Sequence, residues 1–160
     1  ALSAKIAGVY AVTGHASNEV AVALAGLDVH FVHNAEYAQG LSTSLRAGVA
    51  ALPDDVDGVI VLLADMPRID SAMLNSLIQH FAGNLQADAV VPVYKGQRGN
   101  PVLLARSLFG AVEALKGDEG ARRLLGAPSV TVLEISADET VALDIDTPAA
   151  LKEAAQRSAE

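Results

Sequence analysis

Residues 58–67 read GVIVLLADMP. The segment Gly58–Leu63 carries no polar side chain, which predicts a β-strand with both faces covered and hence a central place in a sheet. Asp65 comes two residues after this strand, and Pro67 restricts the loop that carries it. A buried strand that ends in an acidic loop is typical of α/β proteins, in which ligands bind beyond the carboxyl ends of the strands.

Short apolar runs alternate with stretches of helical period on both sides of this segment, which predicts helices on both faces of a sheet. The predicted strands are 9–12, 29–33 (nearer an edge), 58–63, 89–94, 102–104, 130–135 and 141–146; the predicted helices are 17–24, 42–52, 71–81, 107–115, 118–125 and one opened by Thr147 and Pro148. Residues 102–104 follow a polar loop and read as an antiparallel return of strand 89–94. We therefore expect a three-layer α/β fold with a mixed, mostly parallel sheet.

The composition restricts the class of protein. The 160 residues are 51% hydrophobic and carry a net charge of −8, with 4% aromatic residues and no cysteine. One domain over residues 1–160 is expected, and an acidic chain poor in aromatic rings is not suited to bind nucleic acid. No apolar run approaches the roughly 20 residues that span a bilayer, so we expect no membrane contact and a soluble, cytoplasmic protein.

Acidic residues follow two predicted strands. Asp65 follows strand 58–63, while Asp144 and Asp146 lie on one face of the last strand. If these strand ends are neighbours, two carboxylates converge and can bind Mg²⁺, which prefers oxygen ligands. Alternatively, Asp65 could satisfy loop amides or cap the next helix, and Asp146 could complement the dipole of the terminal helix. Spacing does not decide between Asp144 and Asp146; we prefer Asp146 because it is nearer the loop.

Two polar segments are candidates for ligand contacts. Gly40-Leu41-Ser42-Thr43-Ser44 places three hydroxyl groups at a predicted helix start, where they could contact a nucleotide, although a plain serine N-cap explains the same pattern. The loop Lys95–Asn100 combines two cations with two glycines, as a solvated hairpin also would. The sequence contains neither a P-loop nor a Gly-x-Gly-x-x-Gly motif.

Six blocks in this order resemble the MobA-like nucleotidyltransferases, and among them the molybdenum-cofactor cytidylyltransferases. They are Val12–His15, Gly40–Leu45, Leu63–Pro67, Gly99–Val102, Gly117–Arg122 and Leu143–Pro148. The resemblance implies a Rossmann-like nucleotidyltransferase fold and Mg²⁺-dependent transfer of CMP from CTP to the terminal phosphate of a molybdopterin-type molybdenum cofactor, with release of pyrophosphate. It also implies that Asp65 and Asp146 are catalytic and hold Mg²⁺. Gly40, Ser42, Thr43 and Ser44 would line the nucleotide pocket, and Asn100 would face the pterin.

The sequence departs from the family pattern at its start. The family begins with a strand and a glycine-rich loop whose Arg and Lys wrap the triphosphate, whereas the five residues before Ile6 contain neither the glycines nor the Arg. We therefore expect a domain that is truncated at its N-terminus and lacks the first strand. Two alternatives remain: a guanylyltransferase that uses GTP, and a non-catalytic module that binds nucleotide or cofactor and passes the cofactor to a molybdoenzyme or its chaperone.

Overall fold

A computed structural model describes residues 1–142 of the chain. Seven strands and five helices lie in this part. In chain order they are β1 (Tyr10–Thr13), α1 (Ser17–Ala23), β2 (His30–His33), α2 (Leu41–Ala50), β3 (Gly58–Val61), α3 (Ser71–Ala82), β4 (Ala89–Tyr94), β5 (Gln97–Arg98), β6 (Val102–Ala105), α4 (Phe109–Glu113), α5 (Ala121–Leu124) and β7 (Val132–Ser136). None of the helices in residues 1–142 is long and apolar enough to cross a membrane.

The described strands form two sheets. β1 and β2 pair in parallel, with Tyr10 opposite His30 and Thr13 opposite His33. The second sheet has five strands: β6 lies between β3 and β4 and is antiparallel to both, β5 forms a hairpin with β4, and β7 pairs in parallel with the other edge of β4. The predicted mixed sheet is confirmed, but in the described residues it is not mostly parallel, because three of the four pairings in the five-stranded sheet are antiparallel.

Helices cover both faces of the five-stranded sheet, as the alternation along the chain predicts. Successive residues of β4 point to opposite faces. Ala89 and Val91 pack with Leu104 beneath α4 and α5, whereas Val90 packs with Leu103. All five side chains are at most 4% exposed. The core therefore lies on both sides of β4 and β6, which are the best covered strands.

The prediction that residues 58–63 form a central strand is wrong. β3 ends at Val61 and lies at one edge of the five-stranded sheet, where each of its residues is only partly buried. The predicted cover on both faces is present, because helices lie on the two sides of this strand. Val59 and Val61 join the α4 side of the core, while Ile60 joins the α3 side.

Helix α3 follows the sequence pattern closely. Asp70 is its N-cap, and the Asp70 carboxylate accepts a hydrogen bond of 2.9 Å from the Met73 N–H. The predicted apolar stripe faces the core, with Leu74 and Leu77 fully buried. The cap and the continuous apolar face are both local features of the sequence, and they indicate the bounds of this helix without knowledge of its tertiary contacts.

Two other predicted elements differ from the structure. The helix predicted over 118–125 forms only at Ala121–Leu124, because Gly120 is extended and precedes the first helical residue. Val141 and Ala142 belong to a 3-10 turn, Glu139–Ala142, rather than to the predicted strand 141–146. The rest of that strand lies outside the described residues.

Asp88 joins three strands of the sheet through hydrogen bonds at the start of β4. Its carboxylate accepts bonds from the Thr131 N–H (2.9 Å) and the Ser107 hydroxyl (2.8 Å), and its carbonyl accepts the Ala105 N–H (2.8 Å). The bond from Thr131 and then that from Ser107 lower the pKa of Asp88 below its usual 3.8. The charged carboxylate is therefore the form that stabilises the fold.

We predict that Asp88→Asn lowers the urea midpoint of unfolding at neutral pH. Because the folded-state pKa lies below the unfolded value of 3.8, the contribution of the carboxylate is present above pH 3.8 and is lost as the pH falls through the folded-state pKa. Urea unfolding from neutral pH downward should show the difference between wild type and variant shrinking below pH 3.8. Asp55→Asn, at an exposed loop position, is the control and should unfold like wild type. A difference that does not depend on pH would contradict the assignment.

Candidate active site

Two of the predicted site residues leave the sheet at the same end. Val61 at the end of β3 pairs with Val102 at the start of β6. The segment that follows Val61, with Asp65, and the segment that precedes Val102, with Asn100, therefore lie at one edge of the sheet. This edge is the carboxyl end of β3, where the sequence predicts a ligand site.

Asp65 is exposed on the turn after β3, and its neighbour Met66 is 3% exposed. Within residues 1–142 the Asp65 carboxylate makes no hydrogen bond and no ion pair. The turn is thus anchored by the methionine while the carboxylate oxygens remain free to bind a cation. No cluster of three acidic or histidine side chains that could hold a metal ion lies in the described part, and Asp144 and Asp146 fall outside it.

The hydroxyl segment does not act as a serine N-cap. The N-cap residue of α2 is Gly40, without a side-chain cap bond, so Ser42 and Thr43 lie inside the first turn. The Ser42 side chain is fully buried, and Ser42 Oγ has no hydrogen-bond partner in residues 1–142. Buried hydroxyl groups are normally satisfied by protein, water or ligand, so Ser42 Oγ is an unsatisfied polar atom among the described residues at the start of α2.

Asn34, which the sequence analysis missed, holds the start of α2 against the end of β2. The residue is 5% exposed. Its Nδ2 donates to Thr43 Oγ1 (2.8 Å) and Ser44 Oγ (3.1 Å), while its Oδ1 accepts the Glu36 N–H (2.9 Å). The signal in the sequence is an asparagine directly after a predicted strand, since its amide can bind both the turn and the next helix.

A second contact, also missed, fixes the same helix start from the other side. The Ser42 N–H donates to the Gly117 carbonyl at 3.0 Å. Gly40 has φ 108°, and a Cβ built on it would lie 2.4 Å from the carbonyl carbon and oxygen of Gly117. Similarly, a Cβ on Gly120 would lie 2.9 Å from the Leu41 side chain. Two of the sequence blocks, Gly40–Leu45 and Gly117–Arg122, therefore pack backbone to backbone.

Arg122 connects this region to Asn100. Its guanidinium donates to the Arg98 carbonyl at 3.3 Å, two residues before Asn100. The Asn100 N–H in turn donates to the Val141 carbonyl at 3.0 Å. Hydrogen bonds and backbone contacts thus run from Ser42 through the Gly117 loop to Asn100, whereas none of those in residues 1–142 ties Asp65 to this group.

Asp138 is the other acidic residue of the described part whose pKa departs from its usual value. The Thr140 hydroxyl and then the Thr140 N–H donate to its carboxylate and lower the pKa of Asp138. Its oxygens are therefore engaged within the turn that leads to Val141. Because its carboxylate accepts these two hydrogen bonds, Asp138 stabilises the turn.

The family described as MobA-like NTP transferase domain matches residues 1–157. Purine catabolism protein PucB of Bacillus subtilis is 36% identical over 128 residues, which are 75% of this chain and 57% of PucB. The molybdenum cofactor cytidylyltransferase of Escherichia coli is 31% identical over 140 residues, covering 86% of this chain and 68% of that enzyme. The chain thus spans little more than half the length of PucB.

The fold also matches solved structures. Rv0371c of Mycobacterium tuberculosis superposes with a TM-score of 0.77 at 28% identity, over 96% of this chain and 78% of that chain. The same protein has been solved in complex with manganese, with a TM-score of 0.75. These matches confirm the Rossmann-like nucleotidyltransferase fold.

We predict that Gly40→Ala destabilises the protein by about 2 kcal/mol or more, because a side chain at this φ is strained and its Cβ would overlap Gly117. Urea unfolding measures the effect. Gly110→Ala is the matched control: Gly110 lies in α4, and a Cβ there meets nothing within 4 Å. Alanine at that position should raise stability by up to about 1 kcal/mol. Equal effects of the two variants would exclude a close contact at Gly40.

Proposed function

This chain belongs to the MobA-like NTP transferase family, and we propose that it transfers CMP from CTP to a molybdopterin-type molybdenum cofactor in a Mg²⁺-dependent reaction. An oxygen of the acceptor's terminal phosphate attacks the α-phosphorus of CTP. The bond between the α-phosphorus and its bridging oxygen breaks, and pyrophosphate leaves. The products are the cytidylylated cofactor and pyrophosphate.

The observation that carries this proposal is the buried hydroxyl of Ser42, which has no hydrogen-bond partner in residues 1–142 and lies at the start of the ten-residue helix α2. Gly40, Ser42, Thr43 and Ser44 would line the nucleotide pocket. Asn34 and Gly117 hold this segment rigidly, so the Ser42 oxygen is fixed before a ligand arrives. A site that is already ordered loses less conformational freedom when it binds its ligand.

The residues present are compatible with a divalent cation. The Asp65 carboxylate is exposed and unpaired in the described part. Its oxygens are hard ligands of the kind that Mg²⁺ prefers. We propose that Asp65 and Asp146 hold the ion. When bound, Mg²⁺ would neutralise charge on the triphosphate. The complex of Rv0371c with manganese supports a divalent metal in relatives of this chain.

Asn100 would face the pterin side of the site. Its backbone N–H is already used in the bond to Val141, and within residues 1–142 its side-chain amide makes no hydrogen bond. The amide can therefore donate to or accept from an acceptor substrate. We further propose a cytoplasmic location, since a chain without cysteine suits a reducing compartment, and delivery of the product to a molybdoenzyme or its chaperone.

We predict that the protein releases pyrophosphate from CTP when Mg²⁺ and the molybdenum cofactor are both present, and that Asp65→Asn abolishes this release because the ion loses a charged ligand. Asp65 is exposed, so the variant should keep its stability within about 0.5 kcal/mol of wild type. Asp55→Asn, before the amino end of β3, is the matched control and should remain active. Asp146→Ala should impair release more than Asp144→Ala does.

Three results would overturn parts of this proposal. Release from GTP but not from CTP would make the protein a guanylyltransferase. Mg²⁺-dependent CTP binding without release would make it a nucleotide-binding module. Full activity of Asp65→Asn would exclude the metal role of Asp65.

We predict that Ser42→Ala weakens CTP binding by about fivefold to tenfold, the worth of one hydrogen bond. Because Ser42 Oγ has no partner in the described residues, the variant should unfold at the same urea concentration as wild type or a higher one. Titration calorimetry of CTP binding measures the first effect. Ser129→Ala, on an exposed loop, is the control and should bind CTP as wild type does. Loss of stability without loss of binding would make Ser42 a packing residue.

A further inference from the structure

The buried amide of Asn34 determines how two hydroxyl groups at the start of α2 are used. On the basis of the proposed function, we propose that Asn34 is a positioning residue for nucleotide binding. Its amide holds Ser44 Oγ as a hydrogen-bond acceptor, so the Ser44 hydroxyl proton is left to donate to an acceptor atom of the nucleotide. The neighbouring Thr43 hydroxyl, by contrast, spends its proton within the protein.

The orientation of the Asn34 amide is fixed by backbone groups. The Asn34 N–H donates to the Thr13 carbonyl at 2.8 Å, which holds the residue against the end of β1. The Glu36 N–H lies 2.9 Å from Asn34 Oδ1. Because a backbone N–H can only donate, the amide oxygen must face Glu36 and the NH₂ group must face α2. A flipped amide would place two donors against each other.

Both hydrogens of the Asn34 amide are used at α2. Asn34 Nδ2 lies 2.8 Å from Thr43 Oγ1 and 3.1 Å from Ser44 Oγ. An amide NH₂ group carries two hydrogens, so it donates one to each hydroxyl. Both hydroxyl oxygens are therefore acceptors toward Asn34, and each must direct its own proton elsewhere.

The two hydroxyls differ in where that proton goes. Thr43 Oγ1 donates to the Gly40 carbonyl at 2.9 Å, with the Glu36 carbonyl 3.1 Å away, and Thr43 is 4% exposed. Its proton is thus used inside the protein. Ser44 is only partly buried, and Ser44 Oγ donates to no group in residues 1–142. Of the two, only Ser44 has an unused proton at a surface that a ligand can reach.

The bond from Asn34 also makes Ser44 a better donor, because hydrogen bonds in a chain polarise one another. A nucleotide offers suitable acceptors in its base, its sugar and its phosphate groups. A carboxylate in place of the amide would reverse this arrangement, since it can only accept and would take the Ser44 proton for itself. Asn34→Asp therefore changes the direction of the hydrogen bond while it keeps the shape of the side chain.

The test combines Asn34→Asp and Ser44→Ala in a double-mutant cycle of CTP binding, measured by titration calorimetry with Mg²⁺ present. Each single variant should weaken CTP binding about fivefold to tenfold, the worth of one hydrogen bond. The double variant should bind within about twofold of Ser44→Ala, because the hydroxyl through which Asn34 acts is then absent. Asn84→Asp, at an exposed position after α3, carries the same change of charge and should bind CTP as wild type does.

Kinetics separates positioning from folding. In the assay of pyrophosphate release, both single variants should raise the KM for CTP about fivefold to tenfold and leave kcat within about twofold of wild type. A structural loss would instead lower kcat, because a smaller fraction of the protein would be folded. Equal losses of CTP and CMP binding in Ser44→Ala would place the acceptor atom in the base, sugar or first phosphate, and a loss for CTP alone would place it in the outer phosphates.

The wild-type protein supplies a second readout if Asn34→Asp does not fold. In nitrogen-15 NMR, one of the two side-chain amide protons of Asn34 should shift when CTP is added, because its acceptor Ser44 Oγ makes a new bond. Ser44→Ala should remove this response. No shift of either proton at saturating CTP would contradict the role of Asn34.

Three further results would overturn this role. Additive losses in the double variant would mean that Asn34 acts through charge or folding and not through Ser44. Full CTP binding by Ser44→Ala would mean that this hydroxyl does not meet the nucleotide, although the proposed function would stand. A wild-type protein that binds no CTP would overturn the proposed function itself, and the role of Asn34 with it.

Discussion

The close backbone contact between Gly40 and Gly117 is the constraint on which the geometry at the start of α2 depends. It leaves no room for a side chain at residue 40, and the Gly117 carbonyl takes the Ser42 N–H at the same place. From the opposite side, Asn34 binds the hydroxyls of the first turn of α2. The turn is therefore held by polar contacts between distant chain segments, together with the contact of Leu41 with Gly120.

Elements could be predicted where the local pattern of the sequence and the packing in the folded protein favour the same structure. Helix α3 has a cap, one apolar face and a sheet to bury it, and the predicted and observed bounds nearly coincide. β3 is the opposite case. Its apolar residues indicate that helices cover both of its faces, but they do not indicate whether one or both of its edges pair with a neighbouring strand. Residues 118–120 carry helical spacing, yet the extended Gly120 and the contact with Leu41 delay the helix to Ala121.

The residues of the candidate site also include some that the sequence indicates and some whose contacts it does not. Ser42, Thr43 and Asp65 could be singled out because their side chains stand at a helix start and at a strand end. The contacts of Asn34 and Gly117 could not be predicted, because their partners lie 9 and 75 or more residues away, and a single sequence does not state which loops meet. The roles of Asp65, Asn100 and Asp146 stay predictions, and Asp146 lies beyond the described part of the chain.

Helix α1 has no buried residue, and its Val22 is 77% exposed. Packing therefore restricts the amino acids of this helix only weakly, and most substitutions there should be tolerated during evolution. The segment Gly40–Thr43 is more constrained, because the same few residues must satisfy a tight backbone contact and an internal hydrogen-bond network, and under the proposed function they would also line the nucleotide pocket. New substrate preferences in this fold should then arise by changes around that segment, while the segment itself is retained.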